Sequence, residues 1–93
     1  MTDYYLLSYK TVDNYIERRA PYRGEHLAYC NTAKARGELL MAGALADPPD
    51  TAILVFRTAD RSIVEAFARN DPYVKASLIK EWSVRPWTVV VGG

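Results

Sequence analysis

The 93 residues hold one cysteine and one histidine, so no internal disulfide can form. A metal site built from one copy has too few candidate ligands. The chain also lacks CxxC, HExxH and any glycine-rich phosphate loop, which removes the common redox, metalloprotease and nucleotide-binding signatures. No metal and no cofactor are expected. Charge of one sign is missing as well: 12 Lys and Arg stand against 11 Asp and Glu, interspersed, for a net +1. That balance argues against a polyanion-binding tail and against a basic membrane-surface patch. No apolar run approaches a membrane span, and Met1-Thr2-Asp3-Tyr4-Tyr5 is not a basic segment leading into an apolar one. A lone thiol, Cys30, fits a reducing compartment. A cytoplasmic protein without membrane or nucleic-acid partners is the expectation.

What is present is a regular alternation of patterns over one domain, residues 1–93. Residues 4–9 (Tyr-Tyr-Leu-Leu-Ser-Tyr) are aromatic and apolar and read as a buried strand. From Arg19 to Gly37 the period changes, grouping Tyr22, His26, Tyr29, Cys30 and Ala33 on one arc of a helix that Gly37 stops. Residues 38–45, bracketed by Gly37 and Gly43, favour a strand, and Asp47-Pro48-Pro49-Asp50 is a turn by composition. Residues 51–58 form the clearest strand. Ser62 and Glu65 have capping-box spacing and open a short second helix that Pro72 ends. One further turn is expected within 73–79, then a last strand over 81–91, with Pro86 requiring a bulge or an edge position. The order is that of an α+β, ferredoxin-like βαββαβ sandwich.

The strands carry apolar doublets (Leu6/Leu7, Ile53/Leu54, Val89/Val90), so both faces of the sheet ask for cover. Two helices cover one face, and too few residues remain for a third layer. A homodimer packed through the second face is therefore expected.

His26 and Asp71 are the candidate chemical pair. In this fold both helices start at the same sheet edge, and depth is residue count times about 1.5 Å, which puts His26 roughly 10 Å and Asp71 roughly 12 Å in. Imidazole titrates near neutral pH, and a carboxylate that orients it makes a general acid or base. Arg19 and Arg23, four apart, would clamp an anion beside His26. Each residue also has a plainer role: a core histidine satisfied by a neighbour, an Asp-Pro turn, solvated arginines, and core aromatics in Tyr73, Trp82 and Trp87. Cys30 reads as a small buried filler. RNA recognition, which shares this topology, lacks its aromatic signature in Thr51-Ala52-Ile53-Leu54-Val55-Phe56.

Four segments in order, Arg19-x-x-x-Arg23-Gly24-Glu25-His26-Leu27-x-Tyr29, Gly37-Glu38-Leu39-Leu40-x-Ala42-Gly43, Asp71-Pro72-Tyr73-Val74-x-Ala76 and Val84-Arg85-Pro86-Trp87, resemble the YCII (YciI-like) family. The resemblance covers nearly the whole chain. It implies a ferredoxin-like subunit that dimerises into a dimeric α+β barrel, with a catalytic site on His26 and Asp71. It also implies elimination chemistry as one capability, from a relative that dehydrochlorinates a chlorinated hydroquinone. Gly24, Ala44 and Ser77 depart from the family's usual residues near the pocket. The resulting expectation is a cofactor-independent small-molecule enzyme of lyase or isomerase type, with Arg19, Arg23 and Tyr73 binding a small anion. The alternative is a non-catalytic ligand-binding or assembly module with a structural His/Asp pair. A third reading, a haem-degrading or cofactor-free oxygenase, would need Trp82 or Trp87 beside His26.

Overall fold

The computed structural model describes residues 3–93. Its elements are β1 (Tyr4–Thr11), α1 (Tyr15–Arg19), a 3-10 turn (Ala20–Tyr22), α2 (Arg23–Ala35), β2 (Leu39–Ala44), β3 (Thr51–Arg57), α3 (Arg61–Asn70), α4 (Pro72–Lys75) and β4 (Ile79–Trp87). The four strands form one antiparallel sheet in the order β2-β3-β1-β4. That is the expected ferredoxin-like arrangement. No helix of the described residues is long and apolar enough to cross a membrane.

Strand parity decides what the helices cover. Leu7 and Tyr9 of β1, Ala52, Leu54 and Phe56 of β3, and Val84 of β4 point inward and meet Cys30 and Ala33 of α2 and Val64, Phe67 and Ala68 of α3. Alternate residues take the other face, in registered rows: Leu6 lies between Val55 and Arg85, Ser8 between Ile53 and Ser83, and Lys10 between Thr51 and Glu81. This second face is apolar towards Tyr4 and Trp87 and polar towards Lys10. Pro86 sits on β4, an edge strand, one of the two positions its missing N–H allows.

Several local expectations are corrected. The helical run begins earlier than Arg19, at Tyr15, and Pro21 interrupts it as a 3-10 turn before α2 starts at Arg23. Asn14, left-handed at φ 58° and without a side-chain cap, gives α1 no recognisable start signal. The Ser62/Glu65 capping box is not used: Asp60 caps α3, its carboxylate accepting from the Ser62 N–H at 2.9 Å. Asp60 is thereby held below the usual carboxylate range, the Ser62 hydroxyl and N–H both stabilising its charge. β4 ends at Trp87, so Val89 and Val90 are not strand residues. Leu40 falls at an irregularity in the β2 register rather than on a regular alternating face. Gly37, at φ +80°, does end α2 as expected, in a backbone conformation that favours glycine.

Candidate active site

Asp71 occupies the junction of α3 and α4, and Pro72 is the reason it can. A residue before proline is pushed out of the helical region, and Asp71 accordingly stands at φ −64°, ψ 128°, ending one helix and capping the next. Its carboxylate turns back into the protein and is fully buried. There Oδ1 accepts from the Tyr73 N–H at 2.9 Å and lies 2.7 Å from His26 Nδ1, while Oδ2 accepts from the Tyr9 hydroxyl at 2.8 Å. Three partners let a carboxylate sit in the interior without a full counter-ion. His26 and Asp71 do meet, and Asp71 serves both as a turn residue and as a partner of His26.

The protonation pattern follows from which groups can only donate. A backbone N–H has no acceptor role, so Oδ1 is an acceptor, and the imidazole nitrogen facing it carries the hydrogen. Burial, then the Asp71 charge, pushes the Tyr9 hydroxyl far above its ordinary range, so it too stays protonated and donates. His26 in its neutral form is therefore the Nδ1–H tautomer, with the Nε2 lone pair free. Its side chain is only 12% exposed.

Aromatic packing fixes the ring as firmly as the hydrogen bond does. Tyr73 stacks on the imidazole, with centroids 3.7 Å apart and planes 8° from parallel. Tyr15 meets Tyr73 edge-on at 5.9 Å, and the Arg19 guanidinium lies 5.1 Å above the Tyr15 ring. The column Arg19, Tyr15, Tyr73, His26 ties α1 to α4 and to α2. The Cys30 sulfur is 3.5 Å from Nε2 and 4.0 Å from Nδ1. A hydrogen-bond partner of Nε2 would lie in the ring plane, about 2 Å farther from Nδ1 than from Nε2. The thiol therefore packs beside the ring and leaves the Nε2 lone pair unclaimed. Burial and the nearby Asp71 charge push the thiol up to about 12, which keeps it protonated and a poor nucleophile.

His26 opens onto a cavity of about 430 Å³ between α2 and the β2–β3 end of the sheet. Arg19, Arg23 and Tyr73 also line it, so all the expected site residues except Asp71, which stands behind His26, reach the same space. Trp82 and Trp87 do not: Trp82 lies under Arg69, 5.8 Å from its guanidinium, and Trp87 is half exposed. Two contributors escaped the sequence reading, Tyr9 and Tyr15. Tyr9 had a usable signal, since it shares inward parity with Leu7 and a buried hydroxyl requires a partner.

This geometry sits in a chain whose residues 2–88 match the YCII-related domain. The chain belongs to the YCII family. Its fold is shared by 5-chloro-2-hydroxyhydroquinone dehydrochlorinase from Burkholderia phenoliruptrix AC1100, solved in complex with 2,5-dihydroxybenzoquinone. That likeness has 22% identity and a TM-score of 0.77, over 91% of this chain and 93% of the other. A NIPSNAP family protein from Agrobacterium tumefaciens str. C58 is similar at 17% identity and a TM-score of 0.63, over 97% and 94% of the two chains. An antibiotic biosynthesis monooxygenase is similar at 11% identity and a TM-score of 0.57, over 98% and 100%. At such identities the likeness is one of fold. No curated protein matches this YCII chain in sequence.

Proposed function

We propose that this YCII protein is a cofactor-independent enzyme in which His26, oriented by Asp71, moves a proton on a small, aromatic or enolisable anion. The observation that carries the reading is the division of labour on one ring: Nδ1 is committed to a buried carboxylate, Nε2 is not, and His26 lines a cavity. A base so placed takes a proton from the substrate, and Asp71 stabilises the imidazolium that results. In an elimination, the electrons of the broken C–H or O–H bond form a new double bond and the leaving group departs with its own pair. In an isomerisation, the imidazolium returns the proton to a different atom. Arg19 and Arg23 hold the negative charge that the substrate carries, and Tyr73 keeps the imidazole plane fixed. The dehydrochlorinase fold supports the elimination branch by analogy only.

The second reading is a binding module whose His26–Asp71 contact is structural, and the α4 cap that Asp71 provides favours it. The two separate in one assay. The protein is incubated in heavy water with chlorohydroquinone and with 2-hydroxyhydroquinone, and chloride release and deuterium incorporation are followed. Proton transfer predicts turnover in the wild type and a fall of about 100-fold or more in His26→Gln. Turnover that His26→Gln leaves intact removes His26 as the base.

We also propose that two copies pack through the second sheet face. The support is the apolar end of that face, with Leu6 and Ile53 half-buried and Met41 and Trp87 exposed in one protomer.

A further inference from the structure

The cavity is charged on one wall and bare on the other. Arg23, His26, Leu27, Cys30, Asn31 and Lys34 of α2 line it, positions that recur every three or four residues and so form one stripe. The stripe runs from Arg23 to Lys34, three turns and roughly 16 Å of helix. Cations stand at both ends: Arg23, joined by Arg19, at the start, and Lys34, one turn beyond Asn31, at the finish. Opposite lie Leu39, Leu40, Ala42 and Ala44 of β2 with Ala52 and Leu54 of β3, none with a side-chain hydrogen-bonding group. Among the described residues, no acidic one lines the cavity. Among the described residues, Arg19, Arg23 and Lys34 form no ion pair with a carboxylate.

Arg19, Arg23 and Lys34 bring three positive charges to one cavity, and the carboxylate beside it, Asp71, is already engaged by His26, Tyr9 and Tyr73. We propose that this is a two-headed anion site: Arg19 and Arg23 take one acidic group of the ligand, Lys34 with Asn31 takes a second, and the strand wall takes the apolar middle. The ligand class is an organic dianion with acidic groups at opposite ends of a hydrophobic, planar or near-planar body. Ala42, Ala44 and Ala52 present a surface without projecting side chains, against which a ring lies flat. His26 Nε2 then faces the ligand's body rather than either anionic end, which is where a base for C–H or ring O–H removal belongs. The assignment rests on this cavity being the ligand site of His26, as proposed above. Lys34 is a specificity residue in it and has no part in proton transfer.

Benzoate and terephthalate differ only in the second carboxylate and serve as probes. Calorimetric titration of the full-length protein at low ionic strength should show terephthalate binding about tenfold tighter than benzoate, the effect of one added charge-assisted contact. Lys34→Met keeps the aliphatic stem and removes the charge. It should bring the ratio of the two affinities close to one while leaving benzoate within about twofold of wild type. Lys75→Met, a charge loss outside the cavity, should leave the ratio unchanged. A wild-type ratio near one, a ratio that Lys34→Met does not move, or no terephthalate binding at millimolar concentration overturns the two-headed site. These outcomes are independent of the proton-transfer assay: His26→Gln can abolish turnover with the affinity ratio intact, and the ratio can collapse with His26 still the base.

Discussion

Tyr9→Phe removes one oxygen atom from the interior and tests whether the Asp71 carboxylate depends on its full set of donors. Tyr9 and Asp71 are 1% and 0% exposed, so water cannot replace the lost hydroxyl without opening the core. Oδ2 has that hydroxyl, at 2.8 Å, as its hydrogen-bond partner among the described residues. Hydrogen bonds to charged groups contribute about 1.5–3 kcal/mol, and a buried carboxylate oxygen left bare belongs at the upper end. For a domain of this size each kcal/mol moves the melting temperature by about 4–8 °C, so a loss of roughly 10 °C or more is expected. Tyr29→Phe is the matched control. Its hydroxyl donates at 2.8 Å to the Phe67 carbonyl, a neutral and less buried acceptor, and its removal should cost about 0.5–1.5 kcal/mol. Urea unfolding of both variants and the wild type, at equal protein concentration, gives the comparison directly. Should Tyr9→Phe cost no more than Tyr29→Phe, the carboxylate is not held by the tyrosine and the argument for a fixed, donor-saturated Asp71 fails.

The tautomer is testable apart from activity, because His26 is the only histidine and gives a single pair of ring-nitrogen resonances: nitrogen-15 shifts should show Nδ1–H in the wild type and lose that preference in Asp71→Asn, whereas an Nε2–H wild type contradicts the assignment. Burial raises the Cys30 thiol from 9.0 to about 12 and the Tyr29 hydroxyl from 10.0 to about 12, and raises Tyr9 further. Each group's contribution is present below its unfolded value and is lost as pH rises towards its folded one. Stability should therefore decline above about pH 9 as these groups titrate in the unfolded chain before they do in the folded one. A flat profile from pH 8 to 11 contradicts it. Asp60→Ala removes the α3 cap and should lower the urea midpoint, while Ser62→Ala, which leaves the Ser62 N–H to Asp60 contact in place, should lower it less. Sedimentation at micromolar concentration should give about twice the 10.5 kDa chain mass, and a persistent monomer sinks the proposed sheet-face dimer.

The amino-acid sequence determined the order and type of the main elements, because composition, period and punctuation are local: a short apolar run rich in β-branched and aromatic residues in 51–57, a helical arc stopped by Gly37, and a Pro72 that forces Asp71 out of the helix. It also carried His26 to the depth of Asp71, since rise per residue is fixed by backbone geometry and the helix order by topology. Tertiary structure decided the rest. Tyr9 meets Asp71 across 62 residues, and no local pattern states which buried hydroxyl will face which carboxylate. The stacking of Tyr73 on His26 and the placing of the Cys30 sulfur beside the ring are matters of side-chain direction, set by packing after the backbone is in place. Likewise Arg19 and Lys34 lie fifteen residues apart, in different helices, and share a cavity only because α1, α2 and β2 close around it.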